Sequence, residues 1–233
     1  MSIVVTGGAS GLGAAIVEEL LKKNQEVVFT YCHSQQKAQE ICEKYTKAKA
    51  YHCDFSNKNS VNEFCEKVVT DKPYALVNNA FQNLTKKHFH KTELSVFEDN
   101  FSKNILPVIQ ITQSMINEFK NQRKGKIITI LSSAIEIPPI GWSEYCAEKN
   151  YLKSIMKSIS LEYPQYNITA NCISPAFMQT QLNAEVDERE IESMIKKHPL
   201  KRLLKEEEVA GLISYLILEA SEQINGENFL IGQ

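Results

Sequence analysis

Tyr145 and Lys149 stand four residues apart in the run SEYCAEKNY, and that spacing is where proton chemistry first suggests itself. On a helix, positions i and i+4 share a face, so the phenol and the ammonium would point the same way. Bringing a tyrosine pKa from about 10 to about 7 takes roughly 4 kcal/mol. One ammonium about 5 Å away supplies on the order of 3 kcal/mol at an effective dielectric of about 20. Lys149 is therefore expected to provide most of the shift. Tyr145 would then act as a general acid in one direction and a general base in the other.

The second chemical feature is a glycine turn. The chain has nine glycines, and Gly7, Gly8, Gly11 and Gly13 crowd its first thirteen residues. In the pattern Thr6-Gly7-x-x-x-Gly11-x-Gly13, the first glycine would make the turn. The second would let backbone approach a pyrophosphate, and the third would let a helix pack closely. Phosphates would then meet free N–H groups at the helix N-terminus.

These residues need a scaffold, and the hydrophobic pattern supplies one. Residues 2–6 read as a buried strand, and 12–23 carry apolar residues at helical spacing. The alternation continues, with strands at 26–31, 49–53, 74–78, 126–131, 168–173 and 228–231. Helices fall at 35–46, 57–70, 93–119, 143–163 and 206–219. Strands alternating with long helices imply right-handed β-α-β units. The expected fold is therefore α/β, a doubly wound parallel sheet of about seven strands with helices on both faces. No linker or repeat divides the chain, so residues 1–233 are read as one dinucleotide-binding domain. The run Lys205-Glu206-Glu207-Glu208 reads as a helix start, where carboxylates complement the dipole.

Composition narrows the function classes. Hydrophobic residues make up 43% and charged residues 23% of the chain, which suits a globular protein. The net charge of −2 gives no global basic field for nucleic acid. No apolar run approaches the roughly 18 residues of a membrane span, and no signal peptide is read at the N-terminus. The six cysteines form no C-x-x-C pair and read as free thiols of a reducing compartment. A cytoplasmic protein is the expectation. His88 and His90 sit among lysines, and no metal site is expected there.

The spacing TGxxxGxG, followed in order by further motifs, resembles the short-chain dehydrogenases/reductases in their compact form. Asp54 in HCDFS matches the acidic residue that contacts adenine. Asn78-Asn79-Ala80 matches the start of NNAG, Asn104 the asparagine of the next helix, and Ser132 the serine ending the fifth strand. Tyr145-x-x-x-Lys149 matches YxxxK, and NCISPAFMQT matches N-x-I-x-P-G-x-x-x-T. The resemblance implies a catalytic group of Asn104, Ser132, Tyr145 and Lys149. Asn104 would hold a water, and Lys149 would also bind the nicotinamide ribose. It implies cofactor contacts from Thr6, Gly7, Ser10, Gly11, Leu12, Gly13, His33, Ser34, Asp54, Phe55, Asn79, Ala80, Tyr145, Lys149, Pro175, Met178 and Thr180. Ser132 is preferred over Ser133 because it keeps the family's distance to both Gly125 and Tyr145.

The implied activity is hydride transfer from nicotinamide to a ketone, with NADP(H) favoured over NAD(H). An NAD enzyme normally carries an acid after the second strand, and Tyr31-Cys32-His33-Ser34 has none. Ser10 stands where many NADP enzymes carry Arg. A non-catalytic sensor or scaffold on the same fold is the alternative, since fold does not fix function. Within the family the pattern is nearest 3-oxoacyl-acyl-carrier-protein reductases. A basic run of Lys120, Arg123, Lys124 and Lys126 offers half a docking surface for an acidic carrier, but Tyr166 stands where a second docking arginine would be. Only weak dependence on a carrier is expected. The resemblance also implies a homodimer or homotetramer. Phe81 replaces the glycine of NNAG and Ala176 that of P-G, where a needed positive φ would be disfavoured. The segment 177–198 should border the substrate, with its charged run 185–190 exposed and mobile.

Overall fold

The structure is a computed structural model and describes residues 1–82, 84, 86–179 and 186–232. One seven-stranded sheet, all parallel, runs in the order β3-β2-β1-β4-β5-β6-β7. Its strands are β1 (Ser2–Val5), β2 (Glu26–Tyr31), β3 (Ala48–His52), β4 (Pro73–Asn78), β5 (Gly125–Ile130), β6 (Ile168–Pro175) and β7 (Asn228–Ile231). Of the five inner strands, β1, β4, β5 and β6 are buried along their whole length and β2 at all but its ends, whereas the edge strands β3 and β7 are only partly covered. Parallel strands covered on both faces must be continuously apolar, which is why SIVV, YALV and KIITI lack alternation.

Successive strand residues face opposite cores. Ile3, Val5, Ala75, Val77 and Ile128 pack against α1 (Gly11–Lys22), α2 (Gln35–Lys44) and α8 (Glu206–Leu218). Val4, Leu76 and Ile127 pack against α3 (Lys58–Val68), α5 (Leu106–Gln122) and α6 (Ser143–Glu162). Among the described residues no helix is long and apolar enough to cross a membrane.

Three features differ from the sequence reading. The helix expected over 93–119 is present and continuous but not regular, because α4 (Leu94–Asn100) passes through a π-helical segment (Phe101–Ile105) into α5. Pro107 at the start of α5 accounts for the irregular turn, because it has no N–H for a carbonyl one turn back and its ring crowds that carbonyl. The described part of the run 185–190 is no loose loop. Asp187 caps α7 (Glu188–Lys197) by accepting from Arg189 N at 2.7 Å, with acids in the first turn and lysines in the last. Finally, Lys126 is no surface cation. It is buried, and its Nζ donates to the carbonyls of Ala220 at 2.6 Å and Leu216 at 3.3 Å, at the end of α8.

The start of α8 follows the sequence reading. Arg202 forks onto Glu208 at 2.7 and 2.6 Å, and the same carboxylate accepts from Lys205 N at 3.0 Å. Those partners, Arg202 first, hold the Glu208 carboxyl down at about 2.

The strand order reverses between the parallel neighbours β1 and β4, whose onward connections leave toward opposite edges of the sheet. Such a switch opens a crevice at the carboxyl ends of the strands. Thr6 clasps its two sides together. Its fully buried Oγ1 accepts from Asn79 N at 2.9 Å and Ala80 N at 3.0 Å. The Asn79 side chain returns the bond, donating to the carbonyls of Thr6 at 3.0 Å and Gly7 at 3.3 Å. Replacing Thr6 by Val would leave two backbone donors without their acceptor, at about 1–3 kcal/mol each. At about 2–4 °C per kcal/mol for a chain of this size, thermal unfolding of Thr6→Val should fall by on the order of 10 °C. Thr6→Ser should stay within a few degrees, and an unchanged midpoint in the Val variant would show that the clasp carries no load.

Candidate active site

The glycine turn follows β1 directly. Gly7 and Gly11 take positive φ values of +67° and +52°, which a side chain would strain. A Cβ on Gly13 would lie 2.0 Å from the Gly7 carbonyl oxygen, so the first turn of α1 rests on the turn's own backbone. Ser10 occupies the N-cap with an extended backbone and makes no side-chain capping bond, and the first turn of α1 carries no acid. The leading N–H groups of α1 are thus left for an anion. This cradle fits the pyrophosphate of a dinucleotide. Leu12 is buried in the core below it.

The residues read as adenine and ribose contacts lie on the same side of the crevice as the glycine turn, past the ends of β2 and β3. Asp54 Oδ1 accepts from the Ser56 hydroxyl at 2.7 Å and Ser56 N at 2.8 Å. Those bonds hold its carboxyl below the usual range, with smaller pulls from His33 and His52. His33 is exposed, and Ser34 is the N-cap residue of α2. Phe55 is 4% exposed and packs into the core. Thr6 spends its hydroxyl on the clasp and Asn79 its Nδ2, which leaves Asn79 Oδ1 for a ligand.

The reactive groups gather at the ends of β5 and α6. Of the two adjacent serines, Ser132 is the one whose hydroxyl acts on the Tyr145 phenol. Its Oγ also accepts from Ala134 N at 3.2 Å, which fixes the hydroxyl at the strand end. Tyr145 is 6% exposed and boxed by two rings set edge to face, Phe81 at 5.2 Å and Trp142 at 5.5 Å. Lys149, one turn along α6, is 4% exposed. Its Nζ donates to the Ile130 carbonyl at 2.9 Å and lies 4.1 Å from the centre of the Phe81 ring.

This arrangement corrects the expectation that Lys149 pulls Tyr145 down. Burial pushes the Tyr145 phenol up to about 12, and the bond from Ser132 offsets only part of that. Burial likewise lowers Lys149 to about 8. The ammonium is engaged by Ile130 and Phe81, and desolvation outweighs its field at the phenol.

Sequence reasoning passed over Glu148, the residue just before Lys149 on α6. Asn104 sits in the π-helical segment, fully buried, with Oδ1 accepting from Gln82 N at 2.8 Å and Nδ2 donating to Glu148 Oε2 at 3.1 Å. Glu148 and Glu144 are both buried. Among the described residues, neither Glu144 oxygen nor Glu148 Oε1 has another hydrogen-bond partner. Burial raises Glu148 most, and Glu144 adds to it, taking it up to about 8. The signal was present in the sequence as acids at i and i+4 on the face next to Tyr145 and Lys149.

Pro175 ends β6, and Met178 packs against the core on the α1 face. Ala176 does not take a positive φ, so the alanine there is unstrained, and its N–H donates to Ile231 O at 2.8 Å. Thr180 lies outside the described residues. The residues 88 and 90 imidazoles are exposed, with ring centres 6.0 Å apart.

A family model described as short chain dehydrogenase matches residues 1–191. The 3-oxoacyl-(acyl-carrier-protein) reductase of Aquifex aeolicus is 29% identical over 231 residues, covering 96% of this chain and 92% of that one. The acetoacetyl-CoA reductase of a Synechocystis species is 29% identical over 230 residues, with 97% and 92% covered. Among solved structures, ElxO with NADP bound shares the fold at a TM-score of 0.88 and 24% identity, covering 99% of this chain and 96% of that one.

The carboxyl pair makes a stability prediction. Glu148 binds its proton more tightly folded than unfolded, so it favours the fold at acid pH. That contribution is lost as pH rises from the ordinary 4.5 toward about 8. Glu148→Gln keeps an acceptor for Asn104 and cannot ionise. Its thermal midpoint should therefore fall by several degrees less than that of the native chain between pH 5 and pH 8. Parallel declines in the two proteins would show that Glu148 does not titrate in this window.

Proposed function

The chain belongs to the short-chain dehydrogenase family, and on that premise we propose that it is an NADPH-dependent reductase of small β-ketoacyl thioesters or similarly activated ketones. The observation that carries this reading is the grouping of Ser132, Tyr145 and Lys149 at the strand ends, across the crevice from an uncapped helix N-terminus. NADPH supplies the hydride when bound. The residues of the chain manage the oxygen and its proton.

Ser132 is held by Ala134 N through its oxygen, which leaves its proton to donate to a substrate carbonyl. Tyr145, well above neutral in pKa, is protonated at physiological pH, the form that reduction consumes. Lys149 remains cationic at neutral pH and can stabilise the phenolate left behind. With Oδ1 accepting from Gln82 N and Nδ2 donating to Glu148, Asn104 serves as a positioning residue. The preference for NADP(H) is supported by the end of β2, where Tyr31 is followed by Cys32, His33 and Ser34 with no acid to repel a 2′-phosphate. It is supported too by the NADP held in the ElxO structure.

The surface argues for small substrates over an obligatory carrier. With Lys126 buried, the basic run keeps Lys120, Arg123 and Lys124. Lys120 and Arg123 both lie over the Tyr166 ring, at 5.1 and 6.0 Å, and Lys124 lies over Tyr74 at 4.4 Å. Cations already seated on aromatic faces are poorly placed to clasp an acidic partner.

Two measurements test this. Tyr145→Phe should lose at least about a hundredfold in turnover while NADPH affinity stays within a few fold. Retained turnover would remove Tyr145 from the chemistry. A β-ketoacyl group on carrier protein should show less than about a tenfold advantage in kcat/KM over the same group on a short thioester. A larger advantage that vanishes in Arg123→Ala would make the carrier the true partner.

A further inference from the structure

Phe81 stands where nothing in the chemistry asks for an aromatic ring. It follows β4 and the clasped Asn79-Ala80 pair, and its ring covers the Lys149 ammonium at 4.1 Å while meeting the Tyr145 ring edge to face at 5.2 Å. The Lys149 Nζ has the Ile130 carbonyl on one side and this ring on another, and is almost wholly sealed from water. A desolvated cation over an aromatic face is an attractive contact, so the ring has reason to stay.

The backbone on either side of Phe81 is pinned. Ala80 N is bonded to Thr6 Oγ1 at 3.0 Å, and Gln82 N to Asn104 Oδ1 at 2.8 Å. The segment therefore cannot lift away as a loop. What can move is the half-buried side chain, turning about its own χ1 on a fixed pivot.

We propose that Phe81 is a gate on the nicotinamide side of the site, whose ring must swing off Lys149 before the reactive half of the dinucleotide can reach Lys149 and Tyr145. This rests on the reading of the crevice as a dinucleotide site. The pyrophosphate cradle at Gly7–Gly13 lies across the crevice from the ring, so the adenylate half docks without moving it. The closed ring taxes only the nicotinamide half, and apparent affinity is the intrinsic value reduced by the open fraction.

The experiment is calorimetric titration of the native chain, Phe81→Ala and Phe81→Tyr with NADPH and, separately, with 2′,5′-ADP, which lacks the nicotinamide half. Phe81→Ala should bind NADPH about tenfold more tightly, equivalent to about 1.4 kcal/mol. Its affinity for 2′,5′-ADP should stay within twofold of native. Phe81→Tyr keeps the ring and should match the native chain for both ligands. NADPH affinity that is unchanged or weaker in Phe81→Ala would overturn the gate, as would equal shifts for both ligands. A native chain that binds 2′,5′-ADP but neither NADPH nor NADH would overturn the dinucleotide reading itself, and the gate with it.

Discussion

The site depends on one hydroxyl oxygen. Thr6 Oγ1 takes two backbone N–H groups of the segment leaving β4, while Asn79 reaches back to the carbonyls of the segment leaving β1. These bonds lie where neighbouring strands send their connections in opposite directions, so the two segments would otherwise diverge. The clasp fixes the separation between the anion cradle on one side and Ala80, Phe81 and Gln82 on the other. Through Gln82 it reaches Asn104, and through Asn104 it reaches α6. A chain of short hydrogen bonds thus ties the first strand to the helix that carries Tyr145 and Lys149, although they are separated by more than half the sequence.

Along α6 the dominant force is desolvation. Within six residues the helix buries Glu144, Tyr145, Glu148 and Lys149. Each neutral form is favoured by its surroundings where a shift is resolved, with the phenol and Glu148 raised and the ammonium lowered. Opposite charges nearby would usually counter this, but burial is the larger effect here. The helix therefore keeps protons on Tyr145 and Glu148, and any group that enters with a positive charge beside Tyr145 would favour release of one of them.

The sheet and the glycine turn were legible because their signals are local: apolar runs of strand length, and glycines at fixed spacing before a helical pattern. The Tyr145–Lys149 spacing was legible for the same reason, since i and i+4 share a face in any helix. What the sequence hid was tertiary. Lys126 reads as one more cation in FKNQRKGK until α8 is laid over it. The direction of the Tyr145 shift depends on the rings of Phe81 and Trp142, neither of which spacing can place. Two misses were avoidable. Pro107 marks the π-helical turn before α5, and Asp187 with acids following and lysines ten residues on marks α7.

Trp142 gives the molecule an unusual optical property. It is the only tryptophan in the chain, and it lies at the N-cap of α6 with Lys86 over one face at 5.6 Å and Tyr145 against its edge. In most proteins indole emission averages over several rings, many of them in the core. Here all of it arises from one ring at the mouth of the crevice. Fluorescence will follow the state of that mouth, while circular dichroism follows the sheet and helices. Where the two signals part under denaturant, the gap between them measures how far the crevice can loosen while the scaffold beneath it stays folded.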